Sequence, residues 1–297
     1  MSQLTWYWHR WRAMTPLEMA LRVRKKIRQI ADARPRRDWA AVKLECSGAF
    51  PKLPRAADAP KVLRDALQRD VDHIVAGRWK AFGHLDLKVD DPPKWHCDYL
   101  VGKDLATTES AFQLNYRDLP GGADIKLIWE LSRWHSLTRL AMGAYVLGDE
   151  RAGQKCLEWL EDWVQHNPPY RGWNWTSALE VGMRLIQFTW IDALLTAVAN
   201  SESGSPSPRP SPGGEGRGEG DGSRRFPFSE ALERLRQQIL PSHVWYAWRH
   251  QSFGSSANNH LLGELAGCIL ATVRWPGLAQ CGAALDELQA RWEYEVL

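Results

Sequence analysis

The stretch Ile125-Lys126-Leu127-Ile128-Trp129-Glu130-Leu131-Ser132-Arg133-Trp134 opens a pattern that runs almost to the end of the chain. Leu127, Leu131, Trp134, Thr138, Ala141 and Tyr145 recur at three- and four-residue spacing, the period of one helical face. Leu147-Gly148-Asp149 stops that stripe. Leu157, Leu160 and Val164 form a second, closed by Asn167-Pro168-Pro169, and Leu179, Met183, Ile186, Trp190 and Leu194 form a third. Leu232, Leu235 and Ile239 form a fourth. Leu261, Leu265, Ala266, Ile269 and Val273 form a fifth, and Leu285, Leu288 and Trp292 a sixth. Several connections are short, so neighbouring helices are expected to pair as antiparallel hairpins. The fold class read from this pattern is all-α.

Upstream the signals are sparser. Thr15-Pro16-Leu17-Glu18 has an N-cap threonine, proline in the first turn and glutamate three residues after the cap, which predicts a helix to about residue 30. Val62, Ala66, Val71 and Ile74 predict another across roughly 61–76. Residues 77–123 are rich in aromatics, glycine and proline and read as long loops with short strands. Between Ser201 and Ser223, 17 of 23 residues are Gly, Ser or Pro with no large apolar side chain, so this segment reads as a flexible insertion. The helices flanking it are expected to pair regardless, because lengthening a loop costs little. The chain thus divides into a basic helix with a Pro-rich connection (1–60) and a helical domain (61–297) interrupted at 201–225.

Composition narrows the class of protein. Of 297 residues, 44% are hydrophobic and 25% charged, as in a globular protein with a sizeable core. No apolar run approaches the roughly 18 residues that span a bilayer, so no transmembrane segment is expected. The net charge of +3 hides an asymmetry: residues 1–40 hold ten Lys/Arg against three Asp/Glu. That basic start could meet a membrane surface, a nucleic acid or an acidic polysaccharide, but a solvated helix face is the first reading. Arg and Lys interrupt every candidate hydrophobic core of a signal peptide. The five cysteines form neither a zinc pattern nor a disulfide framework, and no metal or cofactor is called for. Tryptophan is unusually frequent, 17 against seven Tyr and seven Phe, a bias that suits cores and sugar-stacking grooves alike.

Two stretches carry chemistry. Ser255-Ser256-Ala257-Asn258-Asn259-His260 places two amides and an imidazole at the start of the fifth helix. Unpaired N–H groups and the helix dipole favour anions there. Ser256 or Asn258 also fits the plain role of an N-cap. In the second stretch, Trp173-Asn174-Trp175-Thr176-Ser177-Ala178-Leu179-Glu180 precedes Arg184, and Ser177-x-x-Glu180 reads as a capping box. Glu180 and Arg184 lie one turn apart and can pair. Read as structure, this is a cap, an ion pair and two core indoles. Read as a site, Trp173 and Trp175 stack on sugar faces and Arg184 forks a carboxylate or sulfate.

These motifs resemble, in order, the N-terminal toroid of the heparinase II/III family of polysaccharide lyases. The matching runs are Trp129-Glu130-Leu131-Ser132-Arg133, Tyr145-Val146-Leu147-Gly148-Asp149-Glu150, Trp175-Thr176-Ser177-Ala178-Leu179-Glu180-Val181-Gly182-Met183-Arg184, and Ser255 through Glu264. Together they cover about residues 120–297. Arg10-Trp11-Arg12-Ala13-Met14-Thr15-Pro16 also resembles the opening of members associated with exopolysaccharide gene clusters. The resemblance implies an incomplete (α/α) toroid of antiparallel helical hairpins. It also implies β-elimination on a uronate-containing polysaccharide such as a glycosaminoglycan, a periplasmic location with the cytoplasm as the alternative, and no nucleic-acid partner. By position Asn259 neutralises the uronate carboxylate and His260 assists. Asn258, Trp173, Trp175, Glu180, Arg184 and Glu264 are then candidate substrate contacts.

One departure stands out. The family's proton-transferring tyrosine follows an Asp-Gly and a Glu-x-Ser, and this chain reaches Leu297 without that segment; Tyr294 lies in the preceding helix and does not match. The expectation is a truncated helical domain, inactive or weak alone, completed by a separately encoded C-terminal β-sandwich domain. The alternative is a non-catalytic polysaccharide-binding toroid.

Overall fold

A computed structural model describes residues 15–33, 37–203, 228–252 and 258–296. Among these the helices are α1 (Pro16–Asp32), α2 (Lys61–Val75), α3 (Ile125–Ser132), α4 (His135–Met142), α5 (Glu150–His166), α6 (Ala178–Ser203), α7 (Phe228–Arg249), α8 (Asn258–Arg274) and α9 (Leu285–Val296). Two short antiparallel hairpins fill the region read as loops and strands: β1 (Arg78–Ala81) with β2 (Leu85–Lys88), and β3 (Cys97–Asp98) with β4 (Lys103–Asp104). Among the described residues the fold is all-α apart from them. Most of the insertion expected at 201–225 lies outside the described residues.

Local chemistry explains most of the boundaries. Asp124 accepts from the Lys126 N–H to cap α3, and Asp149 accepts from the Ala152 N–H to cap α5. The first stripe, expected as one helix, is instead broken at Trp134, which adopts a left-handed φ of 67°. The indole is wholly buried and meets Trp163 edge-on at 4.9 Å. Burial of that ring outweighs the strain of a non-glycine residue at positive φ. After α4, a π-helical turn over Gly143–Leu147 ends at Gly148, also left-handed.

Side-chain contacts give the directions of the helices. Along α7, Arg236 reaches Asp192 and Thr196, His243 reaches Arg184, and Tyr246 reaches the Trp175 carbonyl, so α7 runs antiparallel to α6. The two helices pair across the insertion, as expected. Along α8, Gly263 lies by Leu179 and Arg274 bonds Asp192, so α8 runs parallel to α6 and antiparallel to α7. Cys156 to Leu137 and Trp163 to Ser132 set α5 antiparallel to the α3–α4 segment.

The α6–α8 contact is backbone on backbone. A Cβ on Gly182 would sit 2.7 Å from the Gly263 carbonyl oxygen, and one on Gly267 would strike the Gly182 backbone. Three glycines therefore set how closely the helix bearing Asn259 and His260 approaches the helix bearing Arg184.

Ala178–Ser201 in α6 is by length and composition long and apolar enough to cross a membrane. Here most of it is buried between α7 and α8, and it carries the buried charges Glu180, Arg184 and Asp192.

Candidate functional site

Arg184 occupies the interior. Its guanidinium lies 4.9 Å from the Trp163 ring centre, 5.5 Å from Trp175 and 5.9 Å from Trp134, and none of the residue is exposed. Nη2 donates to the Asn174 carbonyl at 2.8 Å and Nε to His243 Nε2 at 3.0 Å. His243 Nδ1 is 2.7 Å from the Ile239 carbonyl and donates to it. That leaves Nε2 as the acceptor, so the imidazole is neutral. Burial first, and then the Arg184 charge, push the His243 pKa well below its usual value. Burial pulls Arg184 down to about 9, so it stays charged at neutral pH.

Glu180 does not pair with Arg184, as its spacing had suggested. Arg133 takes it bidentately, Nε to Oε2 at 2.7 Å and Nη2 to Oε1 at 2.8 Å, with Glu130 on the third nitrogen. The ion pair joins the end of α3 to the start of α6.

Both candidate stacking tryptophans are also enclosed. Trp173 Nε1 donates to the Leu105 carbonyl at 2.8 Å, and Trp175 Nε1 to the Asn167 carbonyl at 3.2 Å. Protein occupies the ring faces on which sugar stacking was expected. Trp175 and Arg184 are thus brought together in the interior, while Trp173 packs with Ile125 and Ile128 and Glu180 pairs with Arg133.

Asn259 and His260 behave differently. They lie in the first turn of α8 and are exposed. Asn258 opens the helix, while Ser255, Ser256 and Ala257 lie outside the described residues. One turn below His260, Glu264 is buried and accepts from the Ser252 N–H at 2.8 Å and its hydroxyl at 2.7 Å. It therefore anchors the backbone just before the motif. Burial raises the Glu264 carboxyl to about 7, while the Ser252 hydrogen bonds and the Lys25 charge oppose the rise.

Arg133, His243 and Ser252 had no signal in the sequence, because each is recruited by a residue 12 to 59 positions away. The described tyrosine nearest this floor in bonding terms is Tyr246. It is buried, donates to the Trp175 carbonyl, and has its pKa raised by burial, so it is committed to structure.

No protein-family model matches the chain, and no curated protein is similar to it. Among solved structures it is similar to a mutant of heparan sulfate lyase HepC from Pedobacter heparinus, at TM-score 0.50 and 14% identity, over 92% of this chain and 34% of that one. Another structure of HepC from the same organism aligns at TM-score 0.47 and 15% identity. The all-α fold is therefore shared with part of that heparan sulfate lyase. More particularly it is heparinase-like, and the chain spans about a third of the length of the enzyme it matches.

Proposed function

We propose that this chain is the helical domain of a heparinase-like polysaccharide lyase that acts on a uronate-containing polysaccharide by β-elimination. The observation that carries the reading is the heparinase-like fold along 92% of the chain, with Asn259 and His260 exposed at the head of α8. The proton beside a uronate carboxylate becomes acidic only when the charge developing on that carboxylate is stabilised. Asn259, an uncharged amide donor next to a helix N-terminus, supplies that stabilisation, and His260 donates or accepts a proton beside it. Glu180 and Arg184 fasten α6 to the end of α3 and to α7, while Trp173 and Trp175 are packed in the interior. None of the seven tyrosines stands in the Asp-Gly, Glu-x-Ser, Tyr pattern. The isolated chain is accordingly expected to bind uronate polymer and to turn it over weakly or not at all. The same feature favours, as a second reading, a toroid that binds polysaccharide without cleaving it.

The test follows ultraviolet absorbance of the unsaturated product with heparan sulfate and alginate, alongside binding of the same polymers, for wild type and Asn259→Ala. Binding without robust turnover by the isolated chain is the expected result. If neither polymer binds, the reading fails; if the isolated chain is a fast lyase, the claim of a half-site fails. Adding a protein that carries the Asp-Gly, Glu-x-Ser, Tyr segment should raise turnover only where Asn259 is intact, and no rise in any such mixture favours the binding toroid.

A further inference from the structure

Helix α1 inverts the usual surface pattern. Leu21, Arg24, Lys25 and Arg28 are spaced to share one face, and that face turns toward the protein. Val23, Ile27 and Ile30 are left outside, 59%, 62% and 60% exposed. An ordinary surface helix does the reverse, because burying apolar area is what docks it. Here the cationic face lines a cleft of about 460 Å³, closed on the other side by Trp245, Trp248, Arg249, His250 and Gln251.

The cleft is built. Asp32 at the end of α1 pairs with Arg37 at 2.8 Å and with Arg249, and Arg28 Nη1 donates to the Arg249 carbonyl at 2.5 Å. These bonds fasten α1 to the end of α7. Arg24 and Lys25 hold no hydrogen bond or salt bridge among the described residues, and no acidic side chain lines the cleft. Lys25 is exposed in area yet ringed by protein on the cleft side; that surrounding protein lowers its pKa, Glu264 opposes the change, and Arg22 adds to it. Arg28 is lowered likewise, first by desolvation and then by Arg249 and Arg24.

A second, independent observation points the same way. Gln251 and His250 line the cleft at 7% and 6% exposure; His250 Nε2 lies 3.3 Å from Asp32, while Gln251 Nε2 has no hydrogen-bond partner among the described residues. A buried donor left unpaired is destabilising unless something arrives to accept from it. Asp32 pairs with Arg249 and Glu264 acts on Lys25, so Arg24 and Lys25 keep charge to offer an anion in the cleft itself. Gln251 immediately precedes Ser252, which is bonded to Glu264, one helical turn along α8 from His260.

We propose that this cleft binds the sulfate or carboxylate of a sugar, with Arg24 and Lys25 supplying charge, Arg28 and Gln251 supplying donors, and the half-buried Trp248 supplying an apolar wall. The identity of the carrier as a sugar rests on the function proposed above; the anion site rests on the cleft itself.

The experiment titrates the full chain with inorganic sulfate, a heparan sulfate oligosaccharide and phosphatidylglycerol vesicles. Each is repeated with Arg24→Ala/Lys25→Ala, whose side chains are exposed, and with Gln251→Glu, which places a negative charge in the cleft. Oligosaccharide affinity is expected to fall at least tenfold in both variants, with the melting temperature of the double variant unchanged and the wild-type affinity falling steeply with salt. Unchanged oligosaccharide binding by both variants overturns the cleft while leaving the Asn259 reading standing. Wild-type binding of sulfate without oligosaccharide overturns the sugar-borne ligand and the lyase reading with it. Binding to vesicles alone overturns the proposal in favour of a lipid surface.

Discussion

The interior around Arg184 and the cleft beside α1 use the same materials to opposite ends. Each combines arginine, tryptophan and histidine with a polar atom that lacks a partner: Arg184 Nη1 in one, Gln251 Nε2 in the other. Around Arg184 three indoles and a neutral imidazole close every approach, and the motif Trp175 to Arg184 is consumed in holding α6 to α7. Beside α1 the cations face about 460 Å³ of open cleft, and Arg24 and Lys25 make no ion pair among the described residues. The lesson is that an arginine among tryptophans acquires its role from enclosure. Where packing removes solvent it is structural; where a cleft admits solvent it is available to an anion.

The largest expected effect breaks the enclosed side. Arg184→Ala leaves His243 Nε2 and the Asn174 carbonyl unpaired and opens a void among three tryptophans, so a loss of about 3–5 kcal/mol is expected. Chemical denaturation of the variant measures it; a loss below about 1 kcal/mol would show that the rings alone hold this core. Arg24→Ala/Lys25→Ala should leave the denaturation midpoint where it is, which is the contrast in its simplest form.

Next in size is Gly267→Ala. The added Cβ meets the Gly182 backbone, which cannot yield as a flexible side chain would, and overpacking of this kind costs about 1–3 kcal/mol. Because α8 also carries Asn259 and His260, polysaccharide binding should weaken in step with stability. A variant as stable as wild type would show that the α6–α8 approach is looser than the glycines imply.

Glu264 links the two regions through pH. Its folded pKa is about 7, against an ordinary value of 4.5. Between those values the folded protein keeps a proton that the unfolded chain has released, so this group's contribution to stability falls as pH rises from about 4.5 to 7 and is level beyond. The span corresponds to about 3 kcal/mol at most. Glu264→Gln should remove that part of the slope in melting temperature between pH 5 and 7.5 and be relatively more stable at pH 8. Identical pH profiles for the two proteins would refute it.

The smallest expected effect is deletion of Ser203–Gly222, whose composition has nothing to bury. Since α6 and α7 bond through Arg236, Asp192 and Thr196, shortening their connection should change stability by no more than about 1 kcal/mol. A large fall in melting temperature would give that segment a structural role after all.

Much of the architecture was legible because helical periodicity is local. The starts of α1, α3 and α5 follow from Thr15-Pro16, Asp124 and Asp149, each acting within a few residues. The break at Trp134 was not legible, since the apolar stripe continues through it and only the burial of that indole against Trp163 bends the chain. Among the site residues, the exposure of Asn259 and His260 agrees with a motif at a helix start. Glu180 was assigned the wrong partner: Arg184 is nearer along α6, but Arg133 approaches from another helix with two parallel hydrogen bonds. Trp173 and Trp175 illustrate the same gap, for an indole on a loop reads identically whether its face meets solvent or the Leu105–Asn167 region of the chain.

By itself, then, the sequence determined where the long helices lie, that they are amphipathic and that an amide–imidazole pair heads the fifth stripe. Those properties depend on neighbours three and four residues apart. Only the tertiary structure decided which charges are enclosed and which are open. Enclosure depends on which helix lies alongside: α7 over Arg184, α3 beside Glu180, and α1 turned so that Arg24 and Lys25 line an open cleft.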